Sequence, residues 1–430
     1  MAGIYLHIPF CNSKCIYCGF YSVVGREIRE KFVPALRREI SLRRNFFDTL
    51  PREQQAIKTL YIGGGTPSVL PVATLSEIVA LLKVSFNFPD SAFATQPDAA
   101  TLPVQSANER NSKKKEEGEC VKEEKISLDN WEDEDAVKRA DGFEFTVEVN
   151  PDDVTKEYAV ALKKLGVNRV SIGVQSFEDT HLRWMARRHN AKQAEDAFAI
   201  LRDAGFENIS ADLIFGFPLL SMAEWESNLK KLTALSPEHI SAYQLSIDEN
   251  TALERLASKG LFTPLDEAAC SLQYSMLQSI LKDAGYEQYE ISNFAKRGFR
   301  SRHNSSYWER VPYLGLGPGA HSFIGNKREW NFNSVEDYCK EGVYEIRQGE
   351  TLTESDIYNE TLMLGLRKSE GVAIEKLLKS CSGAPRFFEE SREIFNRYLS
   401  SGILVKEGDY IKIPPGKFFV SDGIIRDLFV

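Results

Sequence analysis

Apolar residues recur along this chain in two alternating rhythms. Short runs rich in β-branched and other apolar residues, at 3–8, 59–62, 143–149, 169–174, 209–215 and 240–247, predict strands. Between them, 27–47, 72–82, 156–165, 191–204 and 222–235 carry apolar side chains at the spacing of one helical face. Strands that read as near-continuous apolar runs, each followed by an amphipathic helix, predict a parallel sheet covered by helices. A repeated unit of this kind suits an open or closed β/α barrel, whose chemistry lies at the C-terminal ends of the strands.

Two stretches break the rhythm. Residues 90–142 are charge-rich, with Lys113-Lys-Lys-Glu-Glu and Glu132-Asp-Glu-Asp135, and nearly devoid of apolar periodicity. Such a segment cannot bury enough surface to offset its ordering entropy, so it predicts a disordered insertion. An interaction segment anchored by Trp131 is the alternative. Past Trp330 helical patterns dominate, at 334–348, 355–368, 374–379 and 391–399. Two short apolar runs then flank Glu407-Gly-Asp409, a hairpin signal. The pattern predicts a barrel domain over 1–330 and a small helical, winged-helix-like domain over 331–430. Acidic Glu389, Glu390 and Glu393 favour packing or partner binding over nucleic acid there.

Composition narrows the function classes. The chain has 430 residues, 43% of them hydrophobic, enough for a sizeable core, and its net charge of −9 argues against a polyanion binder. No apolar run approaches the roughly 20 residues of a membrane span. No signal- or transit-peptide pattern precedes the first strand, and the expected location is the cytoplasm. Cys120, Cys270, Cys339 and Cys381 are scattered and are expected to be free thiols in a reducing compartment.

The remaining cysteines are clustered. Cys11, Cys15 and Cys18 lie in Pro9-Phe-Cys-Asn-Ser-Lys-Cys-Ile-Tyr-Cys-Gly-Phe20, spaced C-x3-C-x2-C. Closed iron–sulfur and structural zinc sites take four ligands. Three thiolates on a [4Fe–4S] cube leave one iron open to a small molecule. Disulfides, a zinc knuckle or unrelated buried cysteines are the other readings of the spacing alone. The spacing, with Tyr17 before the last cysteine, resembles the signature of the radical SAM superfamily. Tyr5-Leu-His-Ile-Pro-Phe10 and Phe20 resemble the branch that holds the HemN coproporphyrinogen dehydrogenases and the HemW haem chaperones. The resemblance implies a partial (β/α)6 barrel, a [4Fe–4S] cluster on Cys11, Cys15 and Cys18, and S-adenosylmethionine (SAM) on the open iron.

Strand ends supply further candidates. Gly63-Gly-Gly-Thr-Pro67 follows the second strand, and glycines there let backbone approach a ligand closely. Glu148 and Gln175 lie at the ends of the third and fourth strands, and Arg187 follows. Asp212 sits inside an otherwise apolar strand, where an isolated acid is costly unless paired or ligand-bound. By resemblance, Gly64, Gly65, Thr66, Glu148, Gln175, Arg187 and Asp212 line the SAM site, with Tyr5 from the first strand and Tyr17 beside the cluster.

His303-Asn-Ser-Ser-Tyr-Trp308 resembles the H-N-x-x-Y-W motif of HemW-type chaperones, and Tyr313-Leu-Gly-Leu-Gly-Pro-Gly-Ala-His-Ser-Phe323 resembles their glycine-rich loop. Histidine is a common axial ligand of haem, so His303 and His321 are candidate haem ligands, with Tyr307 and Trp308 as stacking partners. The alternatives are histidines that hold loops by hydrogen bonds, and an aromatic pair packed in a core. Two departures set the chain apart from the HemN enzymes. They carry a further cysteine where Phe20 stands, and a long N-terminal extension where only ten residues precede Cys11. The resemblance implies a haem chaperone that also carries a cluster and SAM, and that passes haem to acceptor haemoproteins, membrane-bound ones included. The alternative is an enzyme of porphyrin metabolism, an anaerobic coproporphyrinogen-III dehydrogenase that decarboxylates oxidatively through a 5′-deoxyadenosyl radical.

Overall fold

The computed structural model describes residues 2–25, 27–90, 92–93, 142–340 and 347–430. The insertion expected at 90–142, with Cys120 and Trp131, lies almost wholly outside the described residues. Six strands fall where the apolar runs place them: β1 Ala2–Ile8, β2 Ile57–Gly64, β3 Glu144–Val149, β4 Arg169–Gln175, β5 Ile209–Phe215 and β6 His239–Gln244. They lie side by side in chain order, all parallel. Helices α1 Arg29–Arg43, α2 Val72–Ser85, α3 Lys156–Lys164, α4 Ala191–Asp203 and α5 Met222–Leu235 connect them. Side-chain capping boxes at Asn190/Gln193 and Ser221/Glu224 start α4 and α5.

The near-continuous apolar reading of these strands needs correcting. Register pairs Tyr61 with Thr146, Glu148 with Ser171, Ser171 with Ser210, and Asp212 with Ser241. Neighbours in register share a face, so polar side chains from successive strands stack on one side of the sheet. Leu60, Ile62, Phe145, Val147, Val170, Ile172, Ala211 and Leu213 alternate with them and are buried. One face is core, and the other is a polar interior able to receive a ligand.

Strands β7 Glu287–Gln288, β8 Asn293–Ala295, β9 Tyr313–Leu316, β10 His321–Ile324, β11 Lys327–Asn331 and β12 Arg347–Thr351 extend the sheet to twelve, in the order β12-β11-β10-β9-β1-β2-β3-β4-β5-β6-β8-β7. β9 runs parallel to β1; the other additions are antiparallel. Helix α6 Glu267–Asp283 packs against α5. A short helix, α7 Arg302–Trp308, lies across the N-terminal ends of the first strands. The Glu144 carboxylate, at the start of β3, accepts from the backbone N–H groups of Arg302 and His303, both at 2.9 Å. His303 Nδ1 lies 2.8 Å from Thr59 Oγ1 on β2.

The C-terminal region is helical, led by α8 Glu354–Leu366. The helix expected over 334–348 is not continuous: Val335–Tyr338 is helical, but Arg347 already belongs to β12. β12 pairs with β11 from Asn331↔Arg347 to Lys327↔Thr351, satisfying an edge that would otherwise stay unpaired. The hairpin at Glu407-Gly-Asp409 forms as expected between Val405–Glu407 and Tyr410–Lys412. Val372–Ala373 completes its three-stranded sheet. One apolar cluster runs from Ala2 to Leu428. Among the described residues no helix is long and apolar enough to cross a membrane.

Candidate functional site

At the C-terminal ends of the parallel strands a cavity of about 390 Å³ opens, lined by Cys11, Cys15 and Cys18. The cysteine loop leaves β1 and is pinned across this mouth. Phe10–Cys11 pairs with Val23–Val24; Ile16 N–H donates to Met185 O at 3.3 Å, and Leu253 N–H donates to Ile16 O at 2.8 Å. Gly19 abuts the loop after β6 so closely that a Cβ would lie 2.4 Å from Asp248 Oδ2. Cys11 Sγ is 3.3 Å from Thr66 Oγ1, and Arg187 Nη1 donates to Cys15 Sγ at 3.5 Å. All three thiols are free, as are Cys270, Cys339 and Cys381.

Three thiols on one cavity are the kind of donor set that a [4Fe–4S] cluster takes. Among the described residues no three His, Cys, Asp or Glu side chains converge to hold a single metal ion. A [4Fe–4S] cluster takes one thiolate on each of three irons and needs no common point. Burial pushes the Cys18 thiol up to about 11, countered in part by the Phe20 backbone N–H. Metal ligation draws such a proton off.

The second strand delivers the glycines to this mouth. Gly64 has φ +111°, and a Cβ on it would lie 2.5 Å from the His7 ring. Its N–H donates to Glu148 Oε2 at 3.1 Å, while Tyr61 OH donates to Oε1 at 2.7 Å. Gly64→Ala is therefore expected to cost roughly 1–3 kcal/mol of stability and to weaken SAM binding at least tenfold. A wild-type melting temperature with wild-type SAM affinity would show that the loop tolerates the methyl.

Glu148, Gln175, Arg187 and Asp212 all line the same cavity, with Gly64, Gly65, Thr66 and Tyr17. Burial pushes the Glu148 carboxyl up to about 7, and the nearby Asp212 adds to it. Burial likewise lifts Asp212 to about 6, opposed by hydroxyls of Ser241 and Ser171 and by Arg169. Gln175 holds φ +65°, an uncommon conformation for a residue with a Cβ and a mark of a shaped site. Arg187 donates to Gly173 O at 2.7 Å and to Asn150 Oδ1, and its Nε has no hydrogen-bond partner.

Tyr5 is not brought to this cavity. Its hydroxyl lies 3.0 Å from His7 Nδ1, and its ring lines a second cavity on the other side of the cysteine loop. Conversely, Arg169, Ser241, Tyr243 and Asn150 line the first cavity and were not anticipated. Arg169 is fully buried with an unpartnered Nε. A lone arginine at the head of an apolar strand was the available signal.

The second cavity, about 510 Å³, shares Gly19 and Phe20 with the first. Of the four haem candidates, Tyr307 and His321 reach it. His303 does not. It is buried, its ring stacks on Tyr61 at 5.1 Å, and its nitrogens meet Thr59 Oγ1 and Tyr307 OH, each at 2.8 Å. This is the hydrogen-bonded arrangement given above as the alternative. Trp308 lines a smaller space of about 90 Å³ against the C-terminal helices, with the Arg367 guanidinium 5.8 Å from its ring.

Comparison with known proteins adds to this geometry. The profile of the Radical SAM superfamily matches residues 5–232. The chain is 33% identical over 380 residues to the heme chaperone HemW of Bacillus subtilis (strain 168), covering 87% of this chain and 85% of that protein. It is 32% identical over 400 residues to the heme chaperone HemW of Lactococcus lactis subsp. lactis (strain IL1403), covering 92% and 89%. Among solved structures, coproporphyrinogen III oxidase (HemN) from Escherichia coli superposes with a TM-score of 0.74 at 20% identity, covering 100% of this chain and 90% of that one. At that identity the likeness is one of fold.

Proposed function

Because the chain belongs to the radical SAM superfamily, and within it to the HemW family, we propose that it is a haem chaperone that carries a [4Fe–4S] cluster and SAM. The observation that carries this reading is similarity along most of the chain to relatives named heme chaperones. Haem is the cargo, acceptor haemoproteins are the partners, some of them at membranes, and the cytoplasm is the place of work.

In this reading Cys11, Cys15 and Cys18 hold the cluster. A reduced cluster and SAM together supply electron transfer and a 5′-deoxyadenosyl radical when bound. The chain's own residues bind and orient. Gly64 and Glu148 offer one N–H and one buried carboxylate at the mouth, joined by their own hydrogen bond. Asp212, Ser171 and Ser241 offer polar groups deeper in. Arg187 donates to Cys15 Sγ and so helps to hold the cysteine loop over the cavity.

The HemN-like fold keeps a second reading in view, oxidative decarboxylation of coproporphyrinogen III. Phe20, exposed at the end of the cysteine loop, occupies the position where that activity's resemblance calls for cysteine. The anaerobically reconstituted protein is expected to bind one haem per chain and to form no protoporphyrinogen from coproporphyrinogen III with SAM and dithionite. Turnover in that assay would replace the chaperone reading by the catalytic one.

A further inference from the structure

Six histidines occur in the chain, all among the described residues, and four spend both ring nitrogens inside the fold. His7 meets Tyr5 OH and Tyr21 O; His181 meets Ser176 Oγ and Leu219 O. His239 meets Ser210 Oγ and Tyr289 OH, and His303 meets Thr59 and Tyr307. His189 meets Val174 O and keeps its other nitrogen buried. His321 differs from all of these. It is exposed, neither ring nitrogen is hydrogen-bonded among the described residues, and its ring is set against Trp330 at 5.7 Å and 22°. The β10–β11 register, which pairs His321 with Trp330, fixes that orientation.

His321 opens on the second cavity, whose walls suit a flat aromatic ligand. Tyr307 and Tyr313 meet edge to face at 4.6 Å, and Phe323 lies 6.2 Å from Tyr313. Phe20, 68% exposed, stands at the entrance. Two guanidinium groups flank these rings: Arg310 and Arg328 lie 4.9 and 5.9 Å from the Phe323 centroid. Both are bonded to the single carboxylate of Glu360, and Glu350 lies 3.7 Å from Arg328. A guanidinium carries five N–H donors, so these contacts leave donors for further carboxylates. Apolar rings, an open imidazole and paired guanidinium groups match the three parts of a haem: its faces, its iron and its propionates.

We propose that this second cavity is the haem berth, with His321 as an iron ligand and Arg310 and Arg328 holding the propionates. The proposal rests on the haem reading above and assigns the cargo a place distinct from the SAM cavity. Among the described residues, the two compartments share Gly19 and Phe20 of the cysteine loop.

The test is haem titration of the full-length, anaerobically reconstituted protein, followed by its Soret spectrum. His321→Ala is expected to weaken haem at least tenfold and to alter the spectrum, with free imidazole restoring it. Arg328→Gln is expected to weaken haem but to leave the affinity for haem dimethyl ester as in the wild type. Cluster absorbance and melting temperature should stay unchanged in both variants. Wild-type spectrum and affinity in His321→Ala, or loss confined to His303→Ala, overturn this berth while leaving haem binding itself standing. A wild-type protein that takes up no haem overturns the underlying reading.

Discussion

Iron content is expected to fall to background in each of Cys11→Ser, Cys15→Ser and Cys18→Ser, with visible cluster absorbance and SAM affinity lost together. If three thiolates hold the cube, loss of any one would open a second iron to solvent. Cys270, Cys339 and Cys381 do not line that cavity, so none of them is placed to substitute. SAM affinity should drop at least a hundredfold, because SAM would bind at the iron that the three thiolates leave free. Metal analysis, absorbance and SAM titration on anaerobic material check this. Undiminished iron in all three variants would remove the cluster from these residues, and zinc in the wild type would replace it.

Glu148→Gln is expected to stabilise the SAM-free protein above about pH 7 and to weaken SAM binding at least tenfold. Burial raises the Glu148 carboxyl from 4.5 to about 7 and Asp212 from 3.8 to about 6. The folded chain therefore holds protons that the unfolded chain has released between about pH 4 and pH 7. Stability from these groups is complete below that window and is lost as pH rises through it. A tenfold difference in proton affinity between the folded and unfolded chain corresponds to about 1.4 kcal/mol. Glutamine removes the buried charge but offers only one acceptor to Tyr61 and Gly64, so a net gain of about 1–2 kcal/mol at pH 8 is expected. Near pH 5 the variant should gain nothing. The cost falls on SAM, whose sulfonium charge and amino N–H donors favour an ionised carboxylate. Denaturation midpoints at the two pH values, with SAM calorimetry, decide the matter. A variant with the wild-type pH dependence would show that Glu148 is not the titrating group.

Much of this was legible in the residues. The six parallel strands could be placed because each apolar run ends in glycine, proline or a polar turn, and the cysteine spacing pointed directly at the mouth of the sheet. What could not be read was where along the sheet one cavity ends and the next begins. Register puts Tyr5, Tyr61 and Glu148 on one face of the sheet, yet Tyr5, two strands away from Glu148, lines the second cavity and Glu148 the first. Arg169 escaped notice because one charge at a strand head looks solvent-facing until the neighbouring strands are laid beside it. The 334–348 helix failed for a related reason: local periodicity carries no record of the edge strand β11, which recruits Arg347–Thr351 as its partner. His303 and His321 are indistinguishable as letters, and only their hydrogen bonds separate a sealed ring from an open one.

Helix α7 lies across the far end of the strands, and Asn304, carried on it, lines the first cavity. The cavity that carries the cysteine loop at its mouth is thus walled in part by a residue of that helix. A shift of this helix at the N-terminal ends of the strands would therefore be felt in a wall of the cavity that opens at their C-terminal ends.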